Sequence, residues 1–289
     1  MKRLLSVVAL SACLTMGVQA DAPKADVKKA ETAKEASSTK GQSATVINLA
    51  GKQRMLTQKM SKEALFIAKG IDVKANTESL KKTASLFDKT LKGLADGDEG
   101  LKLPKTTDKD ILAQLKKVSE LWASMKTSID KVADGKSDKA TLEAIAKENI
   151  PLLKNMNQAV QMYAKASGSS LSPEMAKTIN RAGKQRMLTQ KMTKELLLVA
   201  NGIDADANKE SAKKTGELFE TTLKDLTDKC KNDDIKKQLG EVAKLWADYK
   251  DIVVKADTSD KALKKAEEMN IPLLKNMNKA VKMYEASTK

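Results

Sequence analysis

The chain of 289 residues has no histidine and only two cysteines, Cys13 and Cys230. Without imidazole and with isolated thiols, the usual zinc and haem centres and the Ser/His and Cys/His nucleophile pairs cannot be assembled. If the N-terminal segment is removed, Cys230 stands alone and no intramolecular disulfide can form, so stability must come from packing. Beyond the N-terminus no stretch approaches the roughly 20 uninterrupted apolar residues of a membrane-spanning helix. Arginine is scarce too: after Arg3, only Arg54, Arg181 and Arg186 occur among dozens of lysines.

The N-terminus carries Lys2 and Arg3, an apolar stretch from Leu4 to Val18, and Val18-Gln19-Ala20 before polar sequence begins at Asp21. This reads as a secretory signal, residues 1–20, cleaved after Ala20, and predicts a periplasmic protein. Leu10-Ser11-Ala12-Cys13 also has the form of a lipoprotein box, but the residues after Cys13 stay apolar where a lipoprotein would turn polar. The formal net charge is +15. In an exported protein it points to anionic small molecules, acidic partners or membrane surfaces, and not to nucleic acid.

Residues 21–43 are rich in Lys, Ala, Ser, Thr and Glu with almost no large apolar side chains, and predict a flexible leader. From there the landmarks come twice. Ile47 through Glu63 recurs as Ile179 through Glu195 with only Leu49/Arg181 and Ser61/Thr193 different. Leu86-Phe87 matches Leu218-Phe219, Leu121-Trp122 matches Leu245-Trp246, and Ile150 through Asn157 matches Ile271 through Asn278. The offset falls from 132 to 124 to 121 along the chain, with the losses placed in loops near 96–107 and 134–139.

The fold class predicted is all-α: two tandem antiparallel four-helix bundles, residues 44–166 and 175–289, joined by a linker at 167–174. The helices fall near 45–69, 74–95, 108–133 and 141–166, then 176–201, 206–228, 232–255 and 260–286. Trp and Met at helical spacing read as core. Pro151 and Pro272 are placed near the start of the last helix of each bundle, as a kink or a new first turn. The Asp96–Gly100 stretch lacks the ligand order of an EF-hand and reads as a solvated turn.

On a helical wheel of the repeated segment, Leu49, Leu56, Met60 and Ile67 form a core stripe. The opposite side collects Ile47, Gly51, Arg54, Gln58, Ser61 and Leu65, with Lys52, Lys59 and Lys62 between. An interior helix Gly costs about 1 kcal/mol relative to Ala, yet Gly51 and Gly183 keep it in both copies, which suits close approach of another helix. A guanidinium offers a fork of donors that a lysine cannot reproduce. Arg54 with Gln58, and Arg186 with Gln190, would supply converging donors, with Ser61 and Thr193 a turn further on. Arg54 either pairs with an acidic residue of a neighbouring helix or meets a ligand; the sequence leaves both open.

The pattern Ile-Asn-x-Ala-Gly-x-x-Arg-Met-x-(Ser/Thr)-Gln resembles the first helix of the type IV pilus methyl-accepting chemotaxis transducer N-terminal (PilJ-type) domain, itself similar to the sensor domain of NarX-type nitrate/nitrite kinases. The resemblance covers both repeats. It implies four-helix bundles that pair along the first helix and hold nitrate between two symmetry-related arginines. These would be Arg54 and Arg186, with Gly51 and Gly183 at the close approach. Such proteins continue into a membrane helix and an output module, and this sequence runs to Lys289 without either, so a membrane chemoreceptor or sensor kinase is the partner expected.

The expectation is therefore a binding protein for a small anion, nitrate or nitrite first, with no cofactor and no metal. The two bundles would face each other with pseudo-twofold symmetry, although the short linker leaves an end-to-end arrangement open. The alternative is a structural or interaction module whose Gly/Arg faces bind a receptor ectodomain or another copy. Enzymatic activity is not expected, because the carboxylates read as exposed helical positions, none recurring in a setting that would shift its pKa.

Overall fold

Good helix formers fill long segments here, and short polar links carrying Asp, Asn, Ser or Gly separate them. In the computed structural model these segments are helices: α1 (Lys24–Ala68), α2 (Val73–Asp96), α3 (Lys109–Ala133), α4 (Lys139–Ala166), α5 (Pro173–Ala200), α6 (Ala205–Asp228), α7 (Asp233–Val254) and α8 (Asp260–Ala286). The structure describes the backbone of residues 24–288 and the side chains from residue 39 onward, Ser169 apart. The signal segment 1–20 and the lipidation alternative at Cys13 lie outside the described residues.

Side-chain caps explain where the helices begin. Asp108 accepts from the amides of Asp110 and Ile111, Asp138 from Thr141, Ser172 from Met175, Asn232 from Ile235 and Ser259 from Ala262. Each satisfies amide donors that an open helix end would leave unpaired. Gly-Ile-Asp, at 70–72 and again at 202–204, turns the chain from the first helix of each repeat into the second. Gly70 and Gly202 sit at φ 72° and 67°, and Asp72 and Asp204 follow at 39° and 42°. Asn76 and Asn208 brace the corner by donating to the carbonyls of Ile71 and Ile203 at 3.1 and 2.9 Å.

The helix ends agree with the sequence expectation to within about three residues, with one exception. α1 begins at Lys24, where a flexible leader over 21–43 was expected. A scarcity of large apolar residues argues against burial, not against a helix, and Ala, Lys and Glu are strong helix formers. Two finer expectations are corrected. The links between α3 and α4 and between α7 and α8 are equally long, so the second loss in offset lies within α7, which has 22 residues against 25 in α3. Pro151 and Pro272 lie deep inside α4 and α8 and start neither helix. A proline there removes one backbone bond, at about 3 kcal/mol, and packing of the same helices on both sides of it holds them together.

The buried apolar residues of both repeats form one connected core, in which each repeat contributes an aromatic pair. Phe87 packs on Trp122 with ring centroids 4.8 Å apart, and Phe219 on Trp246 at 5.1 Å. The core reading of Trp and Met holds: Trp122 and Trp246 are 4% and 3% exposed, and Met60, Met125, Met156, Met192 and Met277 are fully buried.

The two repeats pack through α1 and α5. Arg54 reaches the Asn180 carbonyl, Arg186 the Asn48 carbonyl, and Asn201 the Leu65 carbonyl. Partner numbers rise together along both helices, so α1 and α5 run parallel and in register about a pseudo-twofold axis. From Gln53 to Ile67 α1 is buried on almost every side, Lys59 being the half-buried exception. The expected single core stripe is thus half of the picture, and Leu49, placed in that stripe, is only partly buried.

Candidate functional site

At the centre of the α1/α5 contact, two glycines make room for two guanidiniums. A Cβ on Gly51 would lie 3.4 Å from Nη2 of Arg54 and 3.6 Å from Nη2 of Arg186, and Gly183 repeats the arrangement with the roles exchanged. Both Nη2 atoms are therefore within about 7 Å of each other. Two unit charges at that distance repel by about 2 kcal/mol at an effective dielectric constant of ~20.

Both arginines are 1% exposed, and removing such an ion from water costs several kcal/mol. Their partners are all neutral. Arg54 donates through Nη1 to Asn157 Oδ1 at 2.7 Å and through Nη2 to the Asn180 carbonyl at 3.1 Å. Arg186 donates to Asn278 Oδ1 at 2.9 Å and to the Asn48 carbonyl at 3.0 Å. Nε of each is buried without a partner. Among the described residues the only arginine in an ion pair is Arg181, with Asp225. Of the two alternatives the sequence left open, a structural ion pair for Arg54 is not what the structure contains.

Burial, and then Arg186, pulls the pKa of Arg54 down to about 9. Burial takes Arg186 to about 10, with the field of Glu285 opposing. Lys52 is lowered by burial and Arg186, and Lys184 by burial and Arg54. Two buried guanidiniums and two half-buried lysines thus feel one another's charge, which favours a bound negative charge.

One turn further along, the polar residues tie the first helix of each repeat to other helices of the same repeat. Gln58 donates to Thr57 Oγ1 and to Asn149 Oδ1, while Gln190 donates to Thr189 Oγ1 and Asn270 Oδ1. Their amide donors therefore do not converge with the guanidiniums, and what each leaves unpaired is an acceptor, Oε1. Ser61 donates to the Thr57 carbonyl, and Thr193 shares a hydrogen bond with Tyr249 and accepts from Asn270. The structure so brings together Gly51, Gly183, Arg54 and Arg186, and places Gln58, Gln190, Ser61 and Thr193 in a neighbouring layer. In that layer Lys62 crosses to Asn270 at 2.8 Å and Lys194 to Asn149 at 3.2 Å. Burial lowers both lysines to about 8, partly offset by Glu63 and Glu195 respectively.

The expectation that the carboxylates lie at exposed positions fails for Glu63 and Glu195, which are 1% and 2% exposed at equivalent positions. Each pairs with the lysine one turn before it, Lys59 or Lys191, and accepts from Ser79 or Ser211. Sequence reasoning also missed the asparagines. Asn149, Asn157, Asn270 and Asn278 all lie in or beside the second repeated segment, whose recurrence was the available signal.

The residues that meet at this contact are those repeated most closely in the sequence. Two stretches, residues 36–147 and 169–270, match the family model of the type IV pili methyl-accepting chemotaxis transducer N-terminal domain, PilJ. The chain belongs to this family. Together the two matches cover more than half of it, so this PilJ protein carries the family's sensory domain twice. It is 28% identical over 129 residues to the methyl-accepting chemotaxis protein McpN of Pseudomonas aeruginosa, over 45% of this chain and 24% of that one. The chain thus spans about a quarter of that relative's length. Among solved structures, the ligand-binding domain of the P. aeruginosa nitrate receptor McpN is similar at 29% identity, covering 43% of this chain and 96% of that one, with a TM-score of 0.38.

Proposed function

We propose that this PilJ protein is an exported, periplasmic sensory-type binding protein that holds one small anion, nitrate or nitrite first, between Arg54 and Arg186. The observation that carries the reading is the pair of buried guanidiniums with neutral partners and an unpaired Nε on each. An anion between them would turn mutual repulsion into two charge-assisted contacts. The planar fork of each guanidinium suits a planar oxyanion, and the name of the relative McpN, a nitrate receptor, makes nitrate the first ligand to test.

In this reading residues 44–166 and 175–289 are the two sensory domains, 167–174 the linker, and Gly51 and Gly183 the residues that let the arginines meet. Gln58, Gln190, Ser61 and Thr193 shape the adjoining layer. The protein acts by binding, without turnover, and passes its state to a membrane chemoreceptor or sensor kinase. The rival reading, in which the Gly/Arg faces bind another protein, has little surface to act through, because Gly51, Arg54, Gly183 and Arg186 are buried against each other.

Calorimetric titration of residues 21–289 with nitrate, nitrite, sulfate and acetate, beside the Arg54→Gln/Arg186→Gln variant, tests this. Saturable binding of about one anion per chain, lost in the variant, is the expected result; no binding of any of the four by the unaltered protein would sink it.

A further inference from the structure

Pseudo-twofold symmetry relates the two arginines but not the routes to them. A groove of about 1090 Å³ opens between α4 and the corner of α5 and α6, and Arg54 lies in its lining. Its walls are strongly basic, with Lys147, Lys154, Lys177, Lys184 and Lys191 among them. One of its carboxylates, Glu195, is already held by Lys191.

The equivalent place, between α8 and the corner of α1 and α2, differs at several positions, among them Lys264 for Glu143, Glu268 for Lys147, Lys282 for Gln161 and Thr45 for Lys177, and at two of them it gains a carboxylate that bridges helices. Glu267 stands where the first repeat has Ala146, and Glu285 where it has Ala164. Asn76 donates to Glu267 at 2.5 Å and ties α2 to α8. Thr45 and Asn48 donate to Glu285 at 2.6 and 2.5 Å and tie α1 to α8. On the open side Asn208 spends its amide on its own turn, at the carbonyls of Ile203 and Asp204, and the alanines offer Lys177 and Asn180 no acceptor. Burial follows: Asn48 and Asn76 are each 6% exposed, whereas Asn180 and Asn208 are only half-buried.

We infer that an anion reaches the arginine pair through the α4–α5 groove alone, and that Glu267 and Glu285 shut the equivalent mouth. The inference rests on the anion site proposed above. Two effects act together. The basic groove concentrates anions at its mouth, while on the other side two carboxylates bridge the helices and repel them.

Ile150 and Ile271 make a matched pair of probes, equivalent in sequence and exposed to 66% and 62%, with Ile150 lining the groove. In a Cys230→Ser background, Ile150→Cys and Ile271→Cys would each be labelled with a bulky maleimide. Exchange of ¹⁵N-nitrate would then be read by NMR line broadening, with circular dichroism confirming the fold. The label at 150 is expected to slow exchange at least about tenfold, and the label at 271 to leave it within about twofold. Ala146→Glu/Ala164→Glu should slow exchange in the same sense, and Glu267→Ala/Glu285→Ala should not. Equal effects from the two labels, or none from either, would overturn the single mouth while leaving the anion site standing. Absence of nitrate binding by the unlabelled protein would remove the anion site, and the mouth with it.

Discussion

The inner helices α1 and α5 and the outer helices α2, α3, α6 and α7 solve different packing problems. An outer helix buries one face: α2 hides Leu80, Ala84, Phe87, Leu91 and Leu94 and leaves its lysines in water. An inner helix touches its own bundle and the other repeat, so a substitution at almost any position disturbs some contact. That accounts for the near identity of residues 47–63 and 179–195 while the outer helices have diverged around matching landmarks. It also means that the inner helices bury polar and charged groups, each needing a partner.

The largest expected effect breaks that contrast at one residue type. Glu63→Gln should lower stability by roughly 3 kcal/mol, since it leaves the half-buried Lys59 without its counter-charge. The same change at Glu210, whose side chain is 58% exposed beside Lys214, should cost under about 0.5 kcal/mol. Chemical denaturation of both variants checks the pair; similar losses would erase the distinction between inner and outer helices.

The next effect has the opposite sign. In the ligand-free protein, Arg54→Leu/Arg186→Leu should raise stability by roughly 1–3 kcal/mol, because two buried like charges give way to apolar side chains. Thermal melts without and with nitrate would show it: the variant melts higher without nitrate and gains nothing from adding it. A variant less stable than the parent would mean that the arginines serve the fold.

The last effect is a pH dependence. Lys62 and Lys194 titrate near 8 in the folded protein, below the ordinary 10.5 of an unfolded lysine. Between those values the unfolded chain holds more protons, so these two groups make stability rise with pH from about 8 to 10.5. Replacing both with Met should flatten that rise, as measured by denaturation at pH 7.5 and 9.5; an unchanged slope would place the effect elsewhere.

Much of this fold is legible in the sequence because it is written twice. Period, caps and the Gly-Ile-Asp corners set the helix ends, and the pairing of glycine with arginine on one face singles out the central contact. The start of α1 is not legible, since Lys/Ala/Glu-rich sequence suits both a helix and a solvated spacer. Asn157 and Asn278 escape notice for a different reason. They meet the arginines from helices about a hundred residues away, and in their own segment the proline draws the eye. The burial of Glu63 is hidden for a similar cause: its spacing from Lys59 fits a surface ion pair as well as an interior one, and only the packing of α2, which brings Ser79 and Thr83 onto it, decides.

The short connection between α4 and α5, in which Ser172 caps the incoming helix, puts both halves of the central contact on one polypeptide. A contact of this kind between separate subunits is diluted away when the protein is scarce; here the second half is always present at an effective concentration set by the tether. It also frees the halves from having to match. In a homodimer a change at one position appears on both sides of the axis, whereas in this chain Ala146 and Glu267 could part company. A duplicated domain within one chain can therefore acquire a front and a back.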